Sequence, residues 1–242
     1  MKNSPLVTAN GFFLWAATAL VNRFFDLYTG GSRRPVFFPP AEVNPALAQF
    51  DRHAPDIRRE LEGILADREG IPRYHDLDPL QTDISAVRQP ERRWQVFMLN
   101  CMGLRVERNC ARCPVTAVLV DRVPDLFQAF FSILEGGKSI PPHNGIYRGY
   151  LRYHLALKVP ERHPPRMRVR EHVHEWREGE SIVFDDSWEH EVYNEAGDIR
   201  VVLIVDVLRP MPAIPRAVNR LVKAYLRLHY AHFTLRRAPY FQ

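Results

Sequence analysis

Phe130-Phe-Ser-Ile-Leu134, Tyr150-Leu-Arg-Tyr-His-Leu-Ala-Leu-Lys-Val159 and Val201-Val-Leu-Ile-Val-Asp-Val207 decide the fold. Aromatic, β-branched and leucine side chains crowd all three, and their lengths suit strands. Between the second and third lie shorter runs of the same kind at residues 167–173, 181–184 and 190–193. Glu135-Gly-Gly137, Glu178-Gly179 and Glu195-Ala-Gly197 punctuate the series with turn chemistry. Many short strands at this spacing predict a mainly β chain, a sandwich or barrel rather than a parallel sheet. The specific member expected is a double-stranded β-helix, the cupin-like jelly roll.

Working outward, residues 93–101 read as a further strand, and a helix starts near Pro114 and runs toward Val123. Residues 51–69 read as a helix, because Ile57, Leu61, Ile64 and Leu65 keep a 3.6-residue period. Pro55 suits its first turn and Gly70-Ile-Pro72 ends it. A proline-rich passage over residues 30–45 reads as an extended connection. The expected organisation is therefore an N-terminal helical extension and connection over 1–90, a β-helix domain over 91–210 and a basic amphipathic helix over 211–242. A chain of 242 residues, 46% hydrophobic, suits one domain with extensions and a sizeable core.

The formal net charge of +5 is local. Arg209, Arg216, Arg220, Lys223, Arg227, Arg236 and Arg237 lie in a tail without Asp or Glu, so the rest of the chain is slightly acidic. In that tail Val218, Leu221, Val222 and Tyr225 recur at helical spacing, with Arg216, Arg220, Lys223 and Arg227 on another face. Such a helix suits docking on the domain or on anionic lipid headgroups. At the other end, the uncharged run Gly11–Val21 falls short of the about 20 apolar residues a spanning helix needs, and an amphipathic helix is expected there. Cys101, Cys110 and Cys113 are too few for a disulfide framework and fit a reducing compartment. A cytoplasmic protein, in peripheral contact with the inner face of a membrane, is the expectation. Cys110-Ala-Arg-Cys113 has zinc-knuckle spacing but no second pair, so structural cysteines are expected. No nucleic-acid motif accompanies the basic charge, so nucleic acid is not an expected partner.

Polar residues interrupt the apolar strands at chosen places. His143 follows Pro141-Pro142 at the mouth of a strand, and His190 stands where a later strand begins. Both could enter one barrel opening, and neutral imidazoles suit Fe(II). Arg152 and His154 are two residues apart and share a face, while Arg200 opens the last strand.

A family resemblance rests on these segments. Phe131-Ser-Ile-Leu134, Pro142-His-Asn-Gly145, Leu151-Arg-Tyr-His-Leu155, Trp176-Arg-Glu-Gly179, Phe184-Asp-Asp-Ser-Trp-Glu-His-Glu-Val192 and Arg200-Val-Val-Leu-Ile-Val-Asp206 resemble the aspartyl/asparaginyl β-hydroxylase family in order and spacing. The likeness covers roughly residues 90 to 210. Asp206-Val-Leu-Arg-Pro-Met211 and Ala217-Val-Asn-Arg220 are similar to the tail of bacterial lipid A hydroxylases.

The resemblance implies an enzyme: an Fe(II)- and 2-oxoglutarate-dependent dioxygenase that consumes O2 and hydroxylates an unactivated C–H bond. It implies His143 and His190 as metal ligands, and Arg200 with the Ser132 hydroxyl as the site for the co-substrate's distal carboxylate. His154 would touch the carboxylate beside the iron. Arg152 would be free to read an acidic substrate group, with Arg148 as a second contact. The substrate class left open is peptidyl Asp or Asn, a free acid, or a lipid A-like acyl chain bearing carboxylate or phosphate.

Position 145 departs from the usual triad, which places Asp or Glu two residues after the first histidine; here it is Gly145. The peptide branch of the family likewise resembles a two-histidine site, whereas the tail points to the lipid branch. Asp185 and Asp186 could supply the missing ligand, but the Phe184-Asp-Asp-Ser187 turn reads as structural. Two rivals remain: a cupin-like metal-binding module without oxygen chemistry, and a non-catalytic, membrane-associated interaction protein.

Overall fold

The last strand, β11 (Arg200–Leu208), is buried along its whole length because it is covered on both faces. Val201, Leu203, Val205 and Val207 share a core with Ile57, Leu61 and Ile64 of the helix Ala54–Leu65 and with Leu119 and Val120 of the helix Pro114–Asp121. The alternate residues Val202, Ile204 and Leu208 join Met167, Val169, Trp176, Phe184 and Val192 in a second core. The period of two in the sequence thus feeds two cores from one strand. Each fully buried valine, leucine or isoleucine contributes about 1.5–3 kcal/mol.

This computed structural model describes residues 9–237, with side chains from residue 17. Its strands are β1 (Phe37–Phe38), β2 (Trp94–Cys101), β3 (Leu104–Arg105), β4 (Leu126–Leu134), β5 (Ile140–His143), β6 (Tyr150–Lys158), β7 (Arg166–Val169), β8 (His172–Glu175), β9 (Ser181–Phe184), β10 (His190–Tyr193) and β11. They form a seven-stranded sheet in the order β1-β9-β6-β11-β4-β2-β3 and a four-stranded sheet in the order β5-β10-β7-β8. The fold is the expected double-stranded β-helix, antiparallel throughout, with helices at both ends.

Several segments differ from their sequence reading, each for a local reason. Residues 167–173 are two strands, because Arg170 takes a left-handed conformation (φ 53°) and turns β7 into β8. The proline-rich passage over 30–45 is not merely extended. It pairs Phe37 and Phe38 with β9 and uses Pro40 and Pro45 to open helical turns, the second capped by the Asn44 side chain accepting from the Ala46 N–H at 3.1 Å. Strand β5 carries Pro141 and Pro142, which lack N–H donors, and accordingly sits at a sheet edge. The helix Ala54–Leu65 packs directly on the large sheet.

The three cysteines are buried and free. Cys110 donates to the Leu99 carbonyl and Cys113 to the Asn109 carbonyl, each at 3.4 Å. Burial pushes the Cys101 thiol up to about 12 and raises Cys110 and Cys113 as well. These thiols are inert and structural. Among the described residues no group of three or more His, Cys, Asp and Glu converges as a metal cage.

The N-terminal helix Ala9–Thr29 packs against the C-terminal helix Ala213–Leu226. Val218, Val222 and Leu226 lean on the second core beside Phe24 and Phe25. Leu221 and Tyr225, expected on that same apolar face, are exposed instead, because the inward face is centred on Pro215 and Asn219.

Candidate functional site

Strands β5 and β10 run antiparallel with His143 and His190 as register partners, which brings the two imidazole centroids to 4.1 Å. His143 Nδ1 lies 2.8 Å from the Pro141 carbonyl and His190 Nδ1 lies 2.9 Å from the Trp188 carbonyl. A carbonyl only accepts, so each Nδ1 carries the proton and each Nε2 keeps its lone pair. Burial holds both rings below the usual histidine range and hence neutral near pH 7. Two neutral imidazoles, oriented by second partners and facing each other, suit a divalent metal.

The turn before His190 is fixed by a buried ion cluster. Asp185 accepts from Arg34 Nε at 2.7 Å and pairs with Arg209 at 2.6 Å, while Arg34 Nη2 donates to Ser187 at 2.9 Å. The Arg34 guanidinium also lies 3.5 Å from the Trp188 ring centre. Asp185 is therefore structural, and Arg34, remote in sequence, helps set the path of residues 185–188.

Asp186 behaves differently. Its Oδ2 accepts from Tyr150 at 2.7 Å and pairs with Arg152 at 3.1 Å, but its buried Oδ1 has no partner. Burial pushes this carboxyl up to about 7 against the pull of Arg152. A Cβ at position 145 would lie 2.7 Å from Asp186 Oδ1, so the carboxylate fills the room beside Gly145. The space in which a triad acid would stand thus holds a carboxylate from another segment.

Arg152 is not free. Its Nε and Nη2 grip the two oxygens of Asp206 at 2.8 Å each, a bidentate pair set by their direct opposition across β6 and β11. Arg148 is likewise engaged, by Asp26 of the N-terminal helix. Neither guanidinium stands open to an acidic substrate group as the sequence reading expected.

Arg200 is the opposite case: 2% exposed, with no acid paired to it among the described residues. Its nearest polar partner is Ser132 Oγ at 3.5 Å, its Nε has none, and it stacks over Trp176 at 4.5 Å. Desolvation pulls it down to about 9. Ser132 Oγ accepts from Trp94 Nε1 at 2.9 Å, which leaves its own hydrogen to donate. His154 sits nearby, stacked against Trp176 and edge-on to Phe184, with both ring nitrogens buried and unpartnered. Burial and the charges of Arg152 and Arg200 keep it well below the usual histidine range.

Buried polar atoms are nearly always paired, and each one left alone costs about 1–3 kcal/mol. Here Arg200 Nε, both His154 nitrogens, Trp176 Nε1 and Asp186 Oδ1 are all orphaned. Arg200 Nε and the His154 nitrogens, buried side by side without partners, fit an anion with hydrogen-bonding capacity at the arginine. The open surface clefts, one lined by His163, Arg166 and Tyr193, include none of these residues. Trp94, Tyr150, Trp176 and Asp206 were not anticipated as parts of the site, although Trp176 and Asp206 lie within motifs the sequence reading singled out.

The fold is that of the double-stranded β-helix class, here closing on two facing histidines and a buried, unanswered arginine. The chain belongs to the aspartyl/asparaginyl β-hydroxylase family, whose model matches residues 51–210. Over 176 residues it is 39% identical to the ornithine lipid ester-linked acyl 2-hydroxylase of Rhizobium tropici, covering 72% of this chain and 61% of that protein. Over 122 residues it is 35% identical to the human aspartyl/asparaginyl β-hydroxylase, covering 48% of this chain and 16% of that protein. A Pseudomonas putida prolyl-4-hydroxylase superposes with a TM-score of 0.41 and 16% identity, over 65% of this chain and 88% of that one. The family read from the motifs is confirmed, and its match begins upstream of them, at residue 51.

Proposed function

We propose that this protein is an Fe(II)- and 2-oxoglutarate-dependent dioxygenase that hydroxylates a lipid acyl chain. The buried Arg200 without a counter-ion carries the reading. A guanidinium that far from water needs an anion, and its planar fork matches a carboxylate two bonds at a time. His143 and His190 would hold the metal. When bound, iron with 2-oxoglutarate and O2 supplies the oxidation: one oxygen atom enters a substrate C–H bond, the other enters succinate, and CO2 leaves.

The chain's residues do the positioning. Arg200 and the Ser132 hydroxyl take the distal carboxylate of the co-substrate, Trp176 walls the guanidinium from water, and His154 offers a ring nitrogen to the nearer carboxylate. Asp186 places its carboxyl beside Gly145, where a triad acid would stand. Phe184, packed against His154 and His190, keeps the space between the two carboxylate positions apolar.

Two observations support an acyl chain as substrate. Arg148 and Arg152 are already answered by acids of this chain, so a second carboxylate on the substrate would find neither open. The Rhizobium relative, named for an ester-linked acyl group, also aligns over more of this chain than the human aspartyl/asparaginyl β-hydroxylase. The second reading, peptidyl Asp or Asn, is favoured by Gly145.

The test is succinate formation from 2-oxoglutarate by purified protein with Fe(II) and ascorbate, with lipid and peptide fractions added separately. Iron-dependent succinate, stimulated by lipid and abolished in His190→Ala, is expected. Metal binding without succinate under any fraction overturns the reading in favour of a cupin-like binding module.

A further inference from the structure

The two terminal helices leave one face of the molecule apolar and basic together. Leu20 and Leu27 are exposed one heptad apart on the helix Ala9–Thr29. Ile214 and Leu221 repeat that spacing on the helix Ala213–Leu226, with Tyr225 beside them and Leu228 just beyond. Leu221 is 71% exposed and Leu27 78%. These side chains form stripes, not scattered singles, and stripes of this kind mark a contact surface.

The helices are joined at a single loop. Asn22 donates to the Ile146 carbonyl at 2.8 Å and accepts from the Arg148 N–H at 2.9 Å, while Asp26 pairs with the Arg148 side chain. From the other helix, Asn219 accepts from Tyr147 at 2.5 Å and donates to the Gly149 carbonyl at 2.6 Å. Ile146, at the tip of this loop, is 68% exposed. The loop begins directly after His143, so the apolar stripes surround the segment that leads into the histidine pair.

Charge selects the occupant. Arg23, Arg216 and Arg227 are exposed and have no ion-pair partner among the described residues. No Asp or Glu occurs from Arg209 to the end of the chain, and Arg220 is answered only by Asp125 from another element. On the C-terminal helix Ala217 and Ala224 separate the apolar stripe from the arginines, so one exposed half carries both. A second copy of the same face would bring like charges together. No helix among the described residues is long and apolar enough to cross a bilayer, so the fitting geometry is in-plane.

We propose that this face docks on an anionic lipid bilayer, with Leu20, Leu27, Ile146, Ile214, Leu221 and Leu228 entering the headgroup region. The docking requires no turnover, so it stands or falls separately from the oxygenase reading.

The experiment is sedimentation of the full chain with vesicles of phosphatidylcholine alone or mixed with phosphatidylglycerol. Binding to the mixed vesicles is expected, at least tenfold weaker without phosphatidylglycerol. It should also weaken at about 1 M salt, where the Debye length falls from about 10 to about 3 Å. Two variants at exposed positions, Leu27→Asp with Leu221→Asp and Arg216→Glu with Arg227→Glu, should each lose binding while keeping the unfolding midpoint of the parent. Absence of binding to anionic vesicles at low salt overturns the proposal. So does binding that neither variant reduces, and so does a self-associated species that Leu221→Asp dissolves.

Discussion

Arg200 sets the energetics at the scale of single residues. With no acid paired to it among the described residues, it is a buried cation facing one long hydrogen bond and an indole, and replacement of an uncompensated buried charge by an apolar residue of similar reach relieves that strain. Arg200→Met is therefore expected to raise the stability of the metal-free, co-substrate-free protein by about 1–3 kcal/mol in urea unfolding, while removing 2-oxoglutarate turnover. A loss of stability of that size would mean that a partner within the chain already satisfies the guanidinium. The pH response follows from four buried groups. His143, His154 and His190 lie below their free value in the folded state, so below about pH 6.5 the unfolded chain takes up more protons and stability falls on acidification. Asp186, pushed up to about 7, gains its proton first in the folded state and opposes that loss. Asp186→Asn removes the opposing contribution, so its urea midpoint should drop more steeply than the parent's between pH 7 and pH 5. Parallel profiles would show that Asp186 is ionised across that range.

At the scale of elements, the loop between His143 and β6 depends on helices far away in the chain. Asn219 is fully buried and serves both Tyr147 and Gly149. Asn219→Ala leaves the buried Tyr147 hydroxyl unanswered and takes one of two donors from the Gly149 carbonyl, which keeps the Arg209 N–H, and should cost about 1–3 kcal/mol. Hydrogen exchange should show faster opening of residues 144–149 and 213–226 with β11 unchanged; uniform loss across the sheet would mean that the clamp is not local. Strands rich in leucine, aromatic or β-branched residues, such as those at 150–159 and 201–207, were legible because period two and burial on both faces are local properties. So were the family motifs and the pairing of His143 with His190 in one site. What the sequence hid is cross-strand or long-range. The Arg152–Asp206 bond depends on the register of β6 against β11, the Asp186–Gly145 contact on a turn meeting a loop, and Arg148–Asp26 on where the N-terminal helix docks. The β7–β8 turn was hidden because Arg170 adopts a backbone state that its residue type does not announce.

The large sheet divides the whole molecule into two unlike halves. On its outer side, helices seal a largely apolar core; on its inner side, the second core is interrupted by Arg152, His154, Arg200 and Asp206. The apolar half offsets the burial of polar groups that the site requires, a common balance between stability and function. The strand order β6-β11-β4 also dictates a schedule. β11 comes last in chain order among the described strands, yet it fills the middle of the sheet. Until Leu208 emerges from the ribosome, β4 and β6 each present an open edge to any passing chain, a hazard for aggregation. Arg200 arrives on the same strand, so translation stopped short of β11 leaves a sticky fragment without the buried guanidinium, never a smaller version of the same site.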